Sequence, residues 1–202
     1  MTLLKYISYL LIMILLASCA SSLPKNFAKK YYTQNERTIV RMEVLYNKLY
    51  KTKPIAVEFT DNAFKRISIE MKTDSLNYIY EFDLNDQKLK DTLHKFKYDT
   101  SGVMALLRAM QSIKCTWINN LDYYVDDKKQ NLVFISIRPK AFNAIFSNKK
   151  YYVLTFYKQP QYYDEQGRLL DKRNLKRLRK VGNEIFWRIN DRVCYTIMDH
   201  FR

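Results

Sequence analysis

Arg66-Ile67-Ser68-Ile69-Glu70-Met71-Lys72 decides the fold, because Ile67, Ile69 and Met71 alternate with Arg66, Ser68, Glu70 and Lys72. A two-residue period marks a strand with one apolar and one wet face. Thr73-Asp74 supplies turn chemistry, and beyond it Leu76, Tyr78, Tyr80, Phe82 and Leu84 alternate again, with Asn77, Glu81 and Asp83 on the opposite face. Two such runs across a short turn predict an antiparallel hairpin that packs one face and wets the other.

Upstream, Ile55 to Thr60 is a short β-prone run directly after Lys53-Pro54. Before it, Phe27, Tyr31, Ile39, Met42, Leu45, Tyr46 and Leu49 fall near helical spacing, which predicts a helix over about 35–51, beginning near Asn35 and Glu36 or earlier and stopped by Pro54. Downstream, Asn85-Asp86 caps a helix through Leu89, Leu93 and Phe96, and Thr100-Ser101 starts another through Val103, Leu106, Leu107 and Met110. Strands follow at Trp117 to Val125 and Leu132 to Ile137, joined by a turn at 126–129 and closed by Pro139. A helical turn over 141–146, a strand over 151–157, a loop over 159–167 and a basic helix over 171–180 come next. The end, with Asn190-Asp191 between two β-branched runs, reads as a hairpin with a helix as its rival. The expected class is α+β, a mainly antiparallel sheet of about three hairpins with helices packed on one face.

The 202 residues are 48% hydrophobic and 27% charged, with three glycines and four prolines, which is globular composition without low-complexity segments. One domain over 27–202 is expected. Formal charge is +15, an excess that attracts anionic surfaces over roughly 8–10 Å of ionic screening.

The first residues bear on location. Met1-Thr2-Leu3-Leu4-Lys5 carries one cation, and Tyr6 to Ala17 is almost wholly apolar, short of the roughly 20 residues of a membrane span. Leu16-Ala17-Ser18-Cys19 resembles the lipobox of bacterial lipoproteins. The resemblance covers a tenth of the chain. It implies a signal peptide over 1–18 and acyl chains on Cys19, and the small, polar composition from Ala20 to about Asn26, with Pro24, reads as a tether, 19–26 with the cysteine, that reaches roughly 20 Å at about 3.4 Å per residue. Cleavage after Ala20, or retention of the segment as an anchor, are the competing readings. Ala20 after the cysteine implies outer-membrane sorting. The Lys-, Asn- and Tyr-rich composition resembles that of Bacteroidetes, and no acidic stretch follows Cys19, which points to the periplasmic side. In that compartment the partners expected are membrane lipid through acylated Cys19, an envelope protein, or an anionic lipid or glycan, and not nucleic acid.

Lys172, Arg173, Lys176, Arg177, Arg179 and Lys180 place six cations in nine residues, a candidate anionic-surface site or simply a solvated helix face. Cys115 and Cys194 form either a disulfide across a long loop or two buried small hydrophobes. Tyrosine pairs at 31–32, 123–124, 151–152 and 162–163 put one ring on each side of an extended segment, where an exposed ring serves a sugar or a membrane interface. Cys194, Asp199 and His200 are close in sequence, yet a strand would hold Cys194 and His200 roughly 20 Å apart. His94 with Asp91 or Lys95 is a surface cluster, and the acid pairs 126–127 and 164–165 sit in turns. No Gly-rich phosphate loop, zinc motif, nucleophile elbow or calcium loop occurs, so neither cofactor nor metal is expected. The chemistry that remains is a non-enzymatic binding or assembly module, with a lipocalin-like carrier of a small apolar ligand and an envelope hydrolase as alternatives.

Overall fold

A computed structural model of the chain describes residues 26–73, 76–125, 128–142, 150–181 and 183–198. The signal, Cys19 and the tether up to residue 25 lie outside the described residues, as do Asp74, Asp126, Asp127, residues 143–146, Asp199 and His200.

Helix α1 spans Phe27–Thr52. It starts earlier than Asn35 because Ala28 and Tyr32 extend the buried stripe of Ile39, Met42, Tyr46 and Leu49 by two turns. Asn35 is interior, its Nδ2 donating to the Tyr31 carbonyl at 2.9 Å. Lys53 turns extended before Pro54, while its N–H still donates to the Leu49 carbonyl at 2.9 Å. Strands β1 (Ile55–Phe59), β2 (Arg66–Lys72) and β3 (Asn77–Asp83) follow in antiparallel register. Helix α2 (Gln87–Lys95) is capped by Asp86, which accepts from the Lys88 N–H at 2.9 Å. Helix α3 (Thr100–Ser112) is capped by Asp99, one residue before the expected start. Among the described residues no helix is long and apolar enough to cross a bilayer.

Strand β4 (Trp117–Val125) pairs with β5, which runs over Lys128–Phe142. Pro139 does not close this strand. The register shifts between Ser136 and Arg138 and again between Arg138 and Phe142, and such irregularities give a residue without an N–H a place in a sheet. Ala141 and Phe142 are therefore strand and not helical turn. After β6 (Lys150–Phe156) come short strands: β7 (Leu170–Asp171), β8 (Asn174–Leu178), β9 (Lys180–Val181), β10 (Glu184–Ile185) and β11 (Trp187–Arg188), then β12 (Val193–Met198). β11 and β12 pair antiparallel across Asn190-Asp191, so the chain's end is a hairpin as far as Met198.

Eight strands form one sheet in the order β11-β12-β6-β5-β4-β1-β2-β3. Register places Trp187, Tyr195, Leu154, Ile135, Ile118, Val57, Ile69 and Tyr80 in a single row, one from each strand. Six of them belong to the buried cluster that also takes Ile39, Met42 and Tyr46 of α1, Leu89 and Leu93 of α2, and Leu106, Leu107 and Met110 of α3, while Trp187 and Tyr80 at the two ends pack against it half-buried. Full burial of each aliphatic side chain contributes roughly 1.5–3 kcal/mol, which makes this cluster the main stabilising element. β1 and β4 share only two register pairs, Val57 with Ile118 and Glu58 with Trp117. Helix α1 spans that junction, with its Tyr46 hydroxyl donating to the Ile55 carbonyl at 2.6 Å and its Phe27 ring 4.8 Å from that of Tyr152. A smaller cluster of Leu132, Tyr157, Leu169, Phe186 and Cys194 lies on the reverse of β5, β6 and β12, because Cys194 and Tyr195 point to opposite faces.

Candidate anion-binding ribbon

Residues 171–180 form extended chain where a basic helix is expected. β7 and β8 pair antiparallel, with Leu170 opposite Leu178 and Asp171 opposite Asn174, and Lys172-Arg173 make the connection. On a helix Lys172 and Lys176, Arg173 and Arg177, and Lys176 and Lys180 would all be like charges four residues apart, each pair destabilising by a few tenths of a kcal/mol. The turn residues favour the alternative. Asp171 Oδ1 accepts from the Arg173 N–H at 2.9 Å and Asn174 Oδ1 from the Lys176 N–H at 3.1 Å, local bonds that compete with helix. Leu175 and Leu178, expected together on a packed face, are separated, Leu175 being 53% exposed and Leu178 half-buried.

Lys172, Arg173, Lys176, Arg177 and Lys180 are exposed. Arg179 instead fastens the ribbon to the body. Its N–H donates to the Leu169 carbonyl at 2.9 Å, its Nη1 to Gln161 Oε1 at 3.4 Å, and its guanidinium lies 5.4 Å from the centroid of the buried Tyr157 ring. Lys176, Arg177, Arg179 and Lys180 line one groove of about 790 Å³ with Asp171, Leu178 and Asn183. Asn183 adopts a left-handed φ of 65°. Among its described lining residues Asp171 is the one carboxylate against four cations, so its field is positive, and its lysines and arginines offer donors suited to phosphate or carboxylate oxygens.

The other candidates separate. Cys115 and Cys194 are free thiols, Cys115 in the larger cluster and Cys194 in the smaller. That is the arrangement of two small buried hydrophobes. Burial pushes both thiols up to about 12, so neither is a thiolate at neutral pH. Tyr31 and Tyr32 lie on α1 and both turn inward, Tyr31 donating to the Ile113 carbonyl. Tyr152 is buried and Tyr151 half-buried, Tyr162 is 49% exposed, and Tyr163 carries the Arg188 guanidinium 5.5 Å from its ring centroid. Tyr123 and Tyr124 fall on β4. Among the described residues no group of three or more His, Cys, Asp or Glu side chains could hold a metal ion.

One feature had no sequence signal. A cleft of about 330 Å³ lies between α1 and the β11–β12 turn, lined by Tyr32, Val40, Glu43, Phe156, Asn190 and Arg192 among others. Asn190 Nδ2 donates to the Tyr32 hydroxyl at 3.3 Å, and Arg192 Nε to the Tyr157 carbonyl at 3.0 Å. This cleft sits at the margin of the sheet and is not a pocket enclosed by strands as in a lipocalin-like barrel. Comparison of the chain with protein-family models, with curated proteins and with solved structures gave no match.

Proposed function

We propose that the chain is a lipid-anchored protein of the bacterial envelope, on the outer membrane and facing the periplasm, and that it acts as a non-enzymatic binding module. Its ribbon engages anionic groups of lipid or glycan near the bilayer to which acylated Cys19 holds it. The observation that carries the reading is the ribbon itself, with five exposed cations on and beside a two-stranded projection and no acid among residues 172–180. The Leu16 to Cys19 resemblance supports the anchor, and several acyl chains, at roughly 0.8 kcal/mol per buried methylene, make such attachment effectively permanent. The reading takes the sheet as about three hairpins with helices on one face, leaving the reverse to carry the ribbon.

The full-length protein tests both parts separately. Labelled palmitate is expected in the wild-type chain and absent from Cys19→Ala, and equal incorporation in the two would remove the anchor. In the unacylated Cys19→Ala background, where no acyl chain masks the ribbon, binding to vesicles containing phosphatidylglycerol is expected to fall roughly 30-fold on adding Lys176→Gln/Arg177→Gln, from about 1 kcal/mol per cation at an anionic surface. Unchanged binding, or equal binding to neutral vesicles, would remove the ribbon.

A further inference from the structure

The sheet ends at β3, and that edge is built for pairing. Bonds flanking the β2–β3 ladder fix its phase: the Leu84 N–H donates to the Lys65 carbonyl at 2.7 Å and the Thr73 N–H to the Leu76 carbonyl at 2.9 Å. Even-numbered residues of β3 therefore bond to β2, and Asn77, Ile79 and Glu81 direct their N–H and C=O groups outward, where no strand pairs among the described residues. Natural edges are blunted by lysine, proline, bulges or brevity. β3 has no lysine, proline or bulge, and of charged residues only the acids Glu81 and Asp83 toward one end: its seven residues Asn-Tyr-Ile-Tyr-Glu-Phe-Asp hold continuous register with β2. The opposite edge, β11, is only two residues long. Three large apolar side chains are exposed along the β3 edge, Leu76 at 57%, Tyr78 at 36% and Ile79 at 60%.

We propose that β3 is the surface through which two copies of this chain pair, antiparallel, with Ile79 opposite Ile79 of the second copy. The stretch Leu76-Asn77-Tyr78-Ile79-Tyr80-Glu81-Phe82 is nearly palindromic about Ile79, which matches it to a second copy of itself, and the charges select the register. Glu81 and Asp83 are the charged residues of β3, so a register centred on Glu81 would set carboxylate against carboxylate. One centred on Tyr80 would set each Ile79 against a Glu81. Centring on Ile79 sets Asn77 against Glu81, Leu76 against Phe82 and Tyr78 against Tyr80, so apolar groups meet apolar groups and each Glu81 meets an amide. The outward N–H and C=O groups of Asn77, Ile79 and Glu81 all find partners in that register. The file of rings Tyr78, Tyr80 and Phe82, with centroids 6.2 and 6.0 Å apart, then continues across the junction. A twofold contact of this kind uses each edge once and closes at two copies.

Full-length Ile79→Cys in membranes, treated with a bismaleimide of about 8 Å reach, tests it. Cys115 and Cys194 are buried, and the wild-type chain treated alike sets the background from its own cysteines, Cys19 included. Ile79 is exposed, so the substitution leaves the core intact. A product of twice the chain mass is expected at ten-fold or greater yield over Val44→Cys, a control at an equally exposed site, Val44 being 60% exposed on α1. Asn77→Cys is expected to stay near the control level, because the register holds the two Asn77 positions four residues out of step, roughly 13 Å along the strands. Yields at 79 no higher than at 44, a higher yield at 77 than at 79, or a product containing a different protein would each overturn the pairing.

Discussion

Gly102→Ala should destabilise the protein when Asp99 is present and stabilise it when Asp99 is absent. Gly102 lies in the first turn of α3 at an ordinary helical φ, where alanine is normally favoured over glycine by up to about 1 kcal/mol. A Cβ there would stand 2.5 Å from Asp99 Oδ2, 2.9 Å from Asp99 Cγ and 3.0 Å from Leu49 Cδ2. The Asp99 carboxylate must then swing away, losing the cap it makes by accepting from the Gly102 N–H at 2.9 Å and the Ser101 hydroxyl at 2.8 Å. Loss of such a cap costs about 1–2 kcal/mol, and the crowded Leu49 adds to it, so the net change is about 1 kcal/mol of destabilisation. In Asp99→Ala the cap is already gone and the methyl has room on that side, so adding Gly102→Ala recovers part of the helix preference. For a domain of this size 1 kcal/mol moves the melting temperature by about 2–4 °C. Circular dichroism melts of the four proteins of the cycle give the coupling directly. The Gly102 N–H first, and the Ser101 hydroxyl next, hold the Asp99 carboxyl below its ordinary value. A group with a depressed folded pKa stabilises fully above its unfolded value of about 3.9 and ceases to do so as pH falls through the folded value. The deficit of Gly102→Ala against wild type should accordingly shrink below about pH 4. A rise in melting temperature on Gly102→Ala in the wild-type background, or equal effects in both backgrounds, would refute the reasoning.

Tyr46→Phe should lower stability by about 1–3 kcal/mol, since it strands a buried Ile55 carbonyl that now accepts at 2.6 Å. Tyr163→Phe should be neutral or stabilising, because the buried Tyr163 hydroxyl finds no hydrogen-bond partner among the described residues, and chemical denaturation of the two variants checks the contrast. Both thiols are pushed up to about 12 by burial, so iodoacetamide at pH 8 should leave the peptides carrying Cys115 and Cys194 unlabelled in the native protein and label both in guanidinium. Native labelling of either would show that its cluster opens.

What could be read from the sequence was local. The alternation of Ile67, Ile69 and Met71, the stop at Lys53-Pro54 and the cap at Asp86 depend on neighbours a few residues away, and the structure places all three as expected. Pro139 misled because a proline reads as a strand end unless a bulge accommodates it, and the bulge depends on β6. The basic segment misled because Leu175 and Leu178 suit a helix face by spacing. The like charges four apart and the Asp171 and Asn174 turn bonds weigh the other way. Its charge was legible, but the groove was not: Arg179 is turned aside by Tyr157, a ring 22 positions earlier in the chain. The cleft at Tyr32 was beyond reach for the same reason, since Asn190 lies 158 positions away.

The narrow junction of β1 with β4 has a mechanical consequence. On the anchor proposed at Cys19, tension would enter the body at the first turn of α1. Phe27 against Tyr152 and Tyr31 against Ile113 sit there, contacts that peel one at a time. The two ladder pairs between the sheet halves, with the Phe59 N–H bond to the Thr116 carbonyl beside them, would be loaded only after force has travelled along the helix to Tyr46, which bonds β1 at Ile55. Under that proposal the start of α1 would act as a fuse and its length as a splint, a pull on the anchor unwinding the first turn before it shears the sheet.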